Sequence, residues 1–447
     1  MNLWFESALL EDGWADRVRL TLADGRIATV EAEVDPAADD ERHFVALPGL
    51  PNVHSHAFQR AMAGLAEARG PGSDDFWSWR ELMYRFVGRI GPEECEAIAA
   101  QAYPEMLEAG FTRVGEFHYL HHAPDGSRYG DVAEMSGRIA AAAETAGIGL
   151  TLLPVFYAHG GFGGVPAGEA QKRFLNDVDG FADLVDQARA KLPRDGIIGI
   201  APHSLRAVTP EELRALLPVA DGGPVHIHIA EQVKEVADCV GWSGRRPVRW
   251  LLDEMSVDRR WTLVHATHVE TDEVIGIVAS GAVAGLCPIT EANLGDGVFP
   301  AAAFLQEGGM IGIGSDSNVR IDAAEELRLL EYGQRLTRRA RNVLASEARP
   351  ATGARLFAAA VQGGGRSLGI ETGLGVGRPA DIISLNRDDP AFAERKGDAL
   401  IDSWIFASKI GIDSVWRGGV KRVAGGRHRY RDAIEARYRT ALARLTA

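Results

Sequence analysis

Two histidines, His54 and His56, close the run Leu47-Pro48-Gly49-Leu50-Pro51-Asn52-Val53-His54-Ser55-His56. In a strand, side chains at i and i+2 share a face, so both imidazoles can converge on one cation where the strand gives way to loop. Imidazole suits zinc or a similar divalent transition metal. An HxH by itself fits two half-buried polar side chains equally well, and a lone histidine after a strand more often serves the core. Other apolar runs end on matching groups: His228 and Glu231 in Pro224-Val225-His226-Ile227-His228-Ile229-Ala230-Glu231, His265 in Leu263-Val264-His265, and Asp316 in Ile311-Gly312-Ile313-Gly314-Ser315-Asp316. Three histidine nitrogens and one carboxylate oxygen, with room left for water, describe a catalytic site rather than a closed structural one. Alternation puts His226 on the face of His228 but one layer deeper, as a buried polar group beneath the site.

Positioning these groups requires a repeated frame. Eight apolar strand-like runs end near His54, Glu116, Tyr157, His203, Glu231, His265, Asn293 and Asp316. Helical spacing intervenes at Pro92 to Leu107, Ser136 to Thr145 and Glu325 to Leu336. Eight β-then-α units predict an α/β fold of the (β/α)8 type over residues 49–372, with its chemistry at the carboxyl ends of the strands. An open doubly wound sheet is the competitor, but it would gather its site at one switch point instead of after nearly every strand. Short alternating runs at Val18 to Leu22 and Ile27 to Val30 flank Ala23-Asp24-Gly25 and predict a hairpin. Similar runs return after residue 373, so residues 1–48 and 373–447 are expected to form one small β-sandwich domain, the latter adding a terminal helix.

Composition narrows the function. The 447 residues are 46% hydrophobic and 25% charged, ordinary globular material. With 62 acidic against 48 basic residues and a net charge of −14, nucleic acid and anionic membranes are not expected partners. Small anions remain acceptable, since local arginines can oppose the global sign. Cys95, Cys239 and Cys287 are scattered and odd in number, which speaks against a disulfide framework and fits a reducing cytoplasm. The N-terminus lacks a basic start followed by an apolar core, and no stretch reaches 18 apolar residues. A homodimer is the expected assembly, with Phe76, Trp77 and Trp79 serving the core or a subunit contact. Gly160-Gly161-Phe162-Gly163-Gly164 reads as a flexible active-site loop, and Gly363-Gly364-Gly365 as a helix end or turn. His121, His122, His159 and His268 read as local polar partners.

The HxH, the HxxE of His228 and Glu231, the His265 of VHATH and the Ser315-Asp316-Ser317 triplet resemble the amidohydrolase superfamily over nearly the whole chain. Its two-metal members carry a carboxylated lysine after the fourth strand. Here that strand ends Ala201-Pro202-His203-Ser204, so the resemblance is to the single-metal deaminases. It implies one divalent ion per chain, Zn2+ first and Fe2+ second, held by His54, His56, His228 and Asp316.

More narrowly, Pro48 to Arg60, Phe76-Trp77-Ser78-Trp79-Arg80, Glu116-Phe117-His118-Tyr119 and Pro202-His203-Ser204-Leu205-Arg206 resemble the branch that deiminates N-formimino-L-glutamate in histidine breakdown. That resemblance implies that Gln59, Arg80, Tyr119 and Arg206 hold the substrate and that His203 lines the reacting group. Guanidinium forks suit the two carboxylates of such a substrate. The expected chemistry is hydrolytic loss of ammonia, with Asp316 accepting the water proton, His265 steadying the nucleophile and Glu231 protonating the leaving nitrogen. A metal would bring the pKa of the water down from about 15.7 toward about 7 to 9. The rival enzyme is a deaminase of a cyclic nitrogen compound such as guanine, cytosine or a triazine, expected to have an aromatic pocket and fewer paired arginines. A metal-stabilised barrel that only binds a ligand is the non-enzymatic alternative.

Overall fold

The computed structural model describes residues 1–68 and 75–446. Eight parallel strand positions form the barrel: β1 (Leu50–Ser55), β2 (Phe111–His118), β3 (Gly149–Phe156), β4 (Ile197–Ile198 and Ala201–Pro202), β5 (Val225–Ile229), β6 (Trp261–His265), β7 (Val283–Leu286) and β8 (Met310–Ile313). Pairing runs in chain order from β1 to β8 and back to β1. The short β4 joins β5 through single bridges at Ile200 with Val225 and Ser204 with His228, which closes the ring. Every residue of β2, β3, β5 and β6 is buried, as in parallel sheets covered on both faces. The predicted helices appear at Pro92–Glu108, Glu134–Ala146 and Ala323–Arg338.

Both chain ends join in one eight-stranded mixed sheet. Asn2–Leu10, Gly13–Ala23, Arg26–Glu31 and Glu41–Pro48 pair with Ile382–Leu385, Ile412–Arg417, Val420–Ala424 and Arg427–His428. The expected hairpin is present, with Leu22 opposite Ile27. Alternation divides the sheet's two faces. Leu3, Phe5, Leu20, Ala46, Ile382 and Trp416 form a separate small core, whereas Val45, Leu47, Ile383 and Val415 pack into the barrel core. The chain ends in the helix Arg431–Thr446, which lies against Pro92–Glu108.

Three expectations are corrected. The seventh strand ends at Leu286, and Asn293 sits in the helix Pro288–Leu294, because Pro288 provides a helix N-terminus immediately after Cys287. Gly160 to Gly164 is the tip of a short antiparallel pair, His159–Gly161 with Val165–Pro166, and Phe162 stacks on Trp242. Gly363-Gly364-Gly365 lies inside the helix Thr352–Leu368, which ends instead at Gly369 in left-handed conformation. This helix underlies the barrel floor, where a Cβ on Gly363 would stand 2.0 Å from the Ile311 carbonyl oxygen. Gly363→Ala is therefore expected to destabilise the fold by about 1–3 kcal/mol or more, although alanine is the better helix former. Urea unfolding measures this, and an unchanged midpoint would refute the close approach.

Candidate active site

Strand ends set the site because the backbone turns sharply there. Ala230, His265, Ala266, Asp316 and Asn318 all adopt left-handed conformations, which non-glycine residues hold only where the surrounding structure enforces them. The enforcement is visible. The Ser315 and Asp316 amides donate to the His54 carbonyl at 3.0 and 2.9 Å, and the His56 amide donates back to the Asp316 carbonyl at 2.9 Å. Beneath them, Asn52 Nδ2 donates to Ser315 Oγ, which donates to Asn318 Oδ1, each at 2.6 Å. Asn318 Nδ2 reaches Ser55 Oγ and the carbonyls of His56 and Asp316. β8 and β1 are thereby tied so that Asp316 faces the histidine pair.

The buried side chains of His54, His56, His228, His265 and Asp316 converge. His54 Nε2 lies 3.0 Å from His228 Nε2 and 3.5 Å from Asp316 Oδ1, which is 3.4 Å from His56 Nε2. His56 Nδ1 donates to the Phe117 carbonyl at 2.9 Å and His228 Nδ1 to the His203 carbonyl at 3.2 Å. Those acceptors assign the ring hydrogens to Nδ1, so both Nε2 lone pairs face the centre. Lone pairs and a carboxylate aimed at one point repel one another unless a cation sits among them, so the donor set fits a divalent metal. Burial pushes His54 down to about 3, with Asp316 opposing, and lowers His56 and His228 as well, keeping the imidazoles neutral as ligation requires.

His265 also groups with His54 and Asp316, its ligand atom within 4.8 Å of theirs. Its Nε2 is 3.6 Å from Asp316 Oδ2 and 3.9 Å from Glu231 Oε1, while Nδ1 is 3.2 Å from Glu291 Oε1. Burial would lower its pKa, but the carboxylates of Glu231, Glu291 and Asp316 overcome this and raise it to about 10. Burial raises Glu231 to about 7, against the pull of His265 and Arg206. Residue identity at strand ends did not reveal the supports of this pair. Glu235, fully buried, accepts the Ala230 and Glu231 amides at 3.2 Å, and Glu291 Oε1 accepts the Cys287 amide at 2.9 Å as well as holding His265. The available signal was an acid in the first turn of the helix that follows β5 and of the one that follows β7.

Above the cluster lies a pocket lined by Gln59, Arg80, Tyr119, His203, Arg206 and Glu231, with His56, His228, His265 and Asp316 at its base. Every residue expected to touch substrate thus lies together, although they come from four different segments. Gln59 Nε2 donates to the Tyr119 hydroxyl at 3.1 Å. His226, by contrast, bonds the Ser367 carbonyl at 2.9 Å at the floor, one layer below. His121, His122 and His159 have local partners at Val155, Leu175 and Glu212, whereas the buried Nε2 of His268 has none among the described residues.

The helix Phe76–Val87 roofs the pocket. Asp75 caps it by accepting the Trp77 and Ser78 amides, and Phe76, Trp79, Arg80, Met83 and Tyr84 form the helical stripe that faces the cavity. Phe76 and Trp79, expected in the core or at a subunit contact, therefore line the pocket, because the helix lies across the barrel mouth. Tyr157 and Phe174 add to the wall, so aromatic lining does not separate the two enzyme readings.

Comparison with known proteins places this geometry. The amidohydrolase family matches residues 45–421, and the N-terminal domain described as that of formimidoylglutamate deiminase HutF matches residues 3–44. The formimidoylglutamate deiminase of Pseudomonas aeruginosa is 53% identical over 431 residues, 95% of each chain. The 8-oxoguanine deaminase of the same organism is 28% identical over 454 residues, 96% of this chain and 95% of that one. Among solved structures, an amidohydrolase from Brucella melitensis is 54% identical over 100% of both chains, with a TM-score of 0.97. An adenosine deaminase from Xanthomonas campestris with bound zinc shares the fold at 22% identity and a TM-score of 0.79, covering 100% of this chain and 98% of that one. The chain belongs to the amidohydrolase family.

Proposed function

We propose that this amidohydrolase is a formimidoylglutamate deiminase that hydrolyses N-formimino-L-glutamate to N-formyl-L-glutamate and ammonia, in histidine degradation. What carries the reading is that Arg80 and Arg206 line the same pocket as the His-Asp cluster, in a chain 53% identical to a formimidoylglutamate deiminase. A neutral cyclic amine has no use for two guanidinium groups beside its reacting carbon.

His54, His56, His228 and Asp316 would hold one zinc ion per chain, which would supply Lewis-acid activation of water near neutrality. Arg80, Arg206, Gln59 and Tyr119 bind the two carboxylates and aim the formimino carbon at the cluster. Asp316 takes the proton that the attacking water gives up, and His265, beside it, steadies the nucleophile. As the C–O bond forms, the former C=N bond becomes single. Glu231, buried and raised toward neutrality, then protonates the nitrogen of the attacked amidinium; the C–N bond breaks as ammonia leaves, the added hydroxyl closes to the formyl C=O, and its proton returns to Glu231. His203 lines the reacting group. A homodimer in the cytoplasm completes the proposal, and light scattering in solution tests the assembly.

The decisive assay is ammonia release from formimino-glutamate, formimino-aspartate and guanine. Arg206→Met should reduce kcat/KM on formimino-glutamate by about 30- to 5,000-fold, the usual range for truncating one partner of a buried charge pair, with metal content unchanged. Faster turnover of guanine, or wild-type kcat/KM in both Arg80→Met and Arg206→Met, would leave the cyclic-amine reading standing.

A further inference from the structure

Resting on the dicarboxylate reading, we propose that Trp77 is a positioning residue that holds the Arg80 and Arg206 guanidiniums in the arrangement needed to receive two carboxylates. The Arg80 guanidinium carbon lies 4.5 Å from the Trp77 ring centroid, and that of Arg206 lies 5.8 Å from it. Arg80 sits three residues after Trp77 on the roofing helix, so one turn brings the two side chains together. Arg206 arrives from the other side of the mouth, on the turn after β4. One indole therefore bridges two cations that belong to different elements.

Little else fixes these arginines. Arg80 has no ion pair or hydrogen bond among the described residues, and its second aromatic neighbour, Tyr84, is 5.5 Å away. Arg206 reaches Glu235 at 4.0 Å, and its buried Nε has no hydrogen-bond partner among the described residues. Two like charges facing one cavity tend to swing apart, and the negative face of an indole counters that tendency without neutralising either charge. A carboxylate in the same place would have formed an ion pair and competed with the substrate. Phe76, Trp79 and Arg80 line the pocket and Trp77 is not among the lining residues, so its reach into the site runs through the arginines. Lys234 Nζ also lies 5.7 Å from the ring, but it is exposed and paired with Asp238.

The test uses the metal-loaded full-length enzyme with formimino-glutamate. Trp77→Leu should raise KM at least about 10-fold, the scale of two cation–π contacts, and leave kcat within about 2-fold. Trp77→Phe, which keeps an aromatic face, should recover most of the loss. In an Arg80→Met background the Trp77→Leu effect should shrink, since one of its two clients is gone. Wild-type KM in Trp77→Leu, a loss confined to kcat, or a failure of phenylalanine to rescue while leucine and phenylalanine variants melt like wild type, would overturn the inference. If Trp77→Leu does not fold, the Trp77→Phe and Arg80→Met pair carries the test: a small Trp77→Phe defect that shrinks with Arg80→Met supports it, and full additivity overturns it. Absence of formimino-glutamate turnover by the wild type would instead sink the substrate assignment, and this inference with it.

Discussion

Replacing His54 or His56 by alanine is expected to strip the metal and to lower turnover by at least about 1,000-fold, since Lewis-acid stabilisation contributes several kcal/mol at the transition state. The expectation follows from the facing lone pairs. With Nδ1 of His56 and of His228 committed to carbonyl acceptors, their Nε2 atoms are left to face His54, Asp316 and a cation. Removing either histidine leaves too few ligands to retain a divalent ion against the cost of dehydrating it. His226→Ala is the control, because its Nε2 is engaged by the Ser367 carbonyl at the barrel floor and its loss should leave metal content near wild type. Elemental analysis of the purified proteins reads both outcomes and separates zinc from iron. Two tightly held ions per active chain, or full activity after chelation, would contradict the single-metal assignment.

Glu231→Gln should keep the metal and cut kcat by at least about 100-fold, the usual scale for a positioned proton transfer. Glutamine preserves the size of the side chain and its place after β5, where Glu235 fixes the Glu231 amide, but it cannot deliver a proton. His265→Ala should be comparably damaging, because that ring spans Asp316 and Glu231. His268→Ala should be milder. Normal turnover in Glu231→Gln would remove it from the proton path, and a larger loss in His268→Ala than in His265→Ala would mean that the wrong histidine had been assigned.

Among the residues, those announced by type and by strand-end position were legible from the chain alone. His54, His56, His228, His265 and Asp316 follow apolar runs, and alternation correctly set His226 below His228. Eight β-then-α units, a sheet built from both chain ends and the hairpin at Asp24-Gly25 were legible for the same reason, since burial periodicity and turn chemistry are local properties. The resemblance to amidohydrolases supplied the proposed substrate residues, which no spacing rule could have gathered from four segments.

Tertiary structure decided what depends on approach between distant segments. Glu235 and Glu291 looked like ordinary first-turn acids until the barrel brought them against the Glu231 amide and the His265 ring. Gly363 to Gly365 looked like a terminus until the barrel floor demanded a helix with no side chain facing Ile311. Phe76 and Trp79 looked like core until their helix was laid across the mouth. In each case the sequence determined which groups were available at strand ends, and packing determined which of the remaining groups would face them, because contact energies between elements depend on docking geometry that no local pattern encodes.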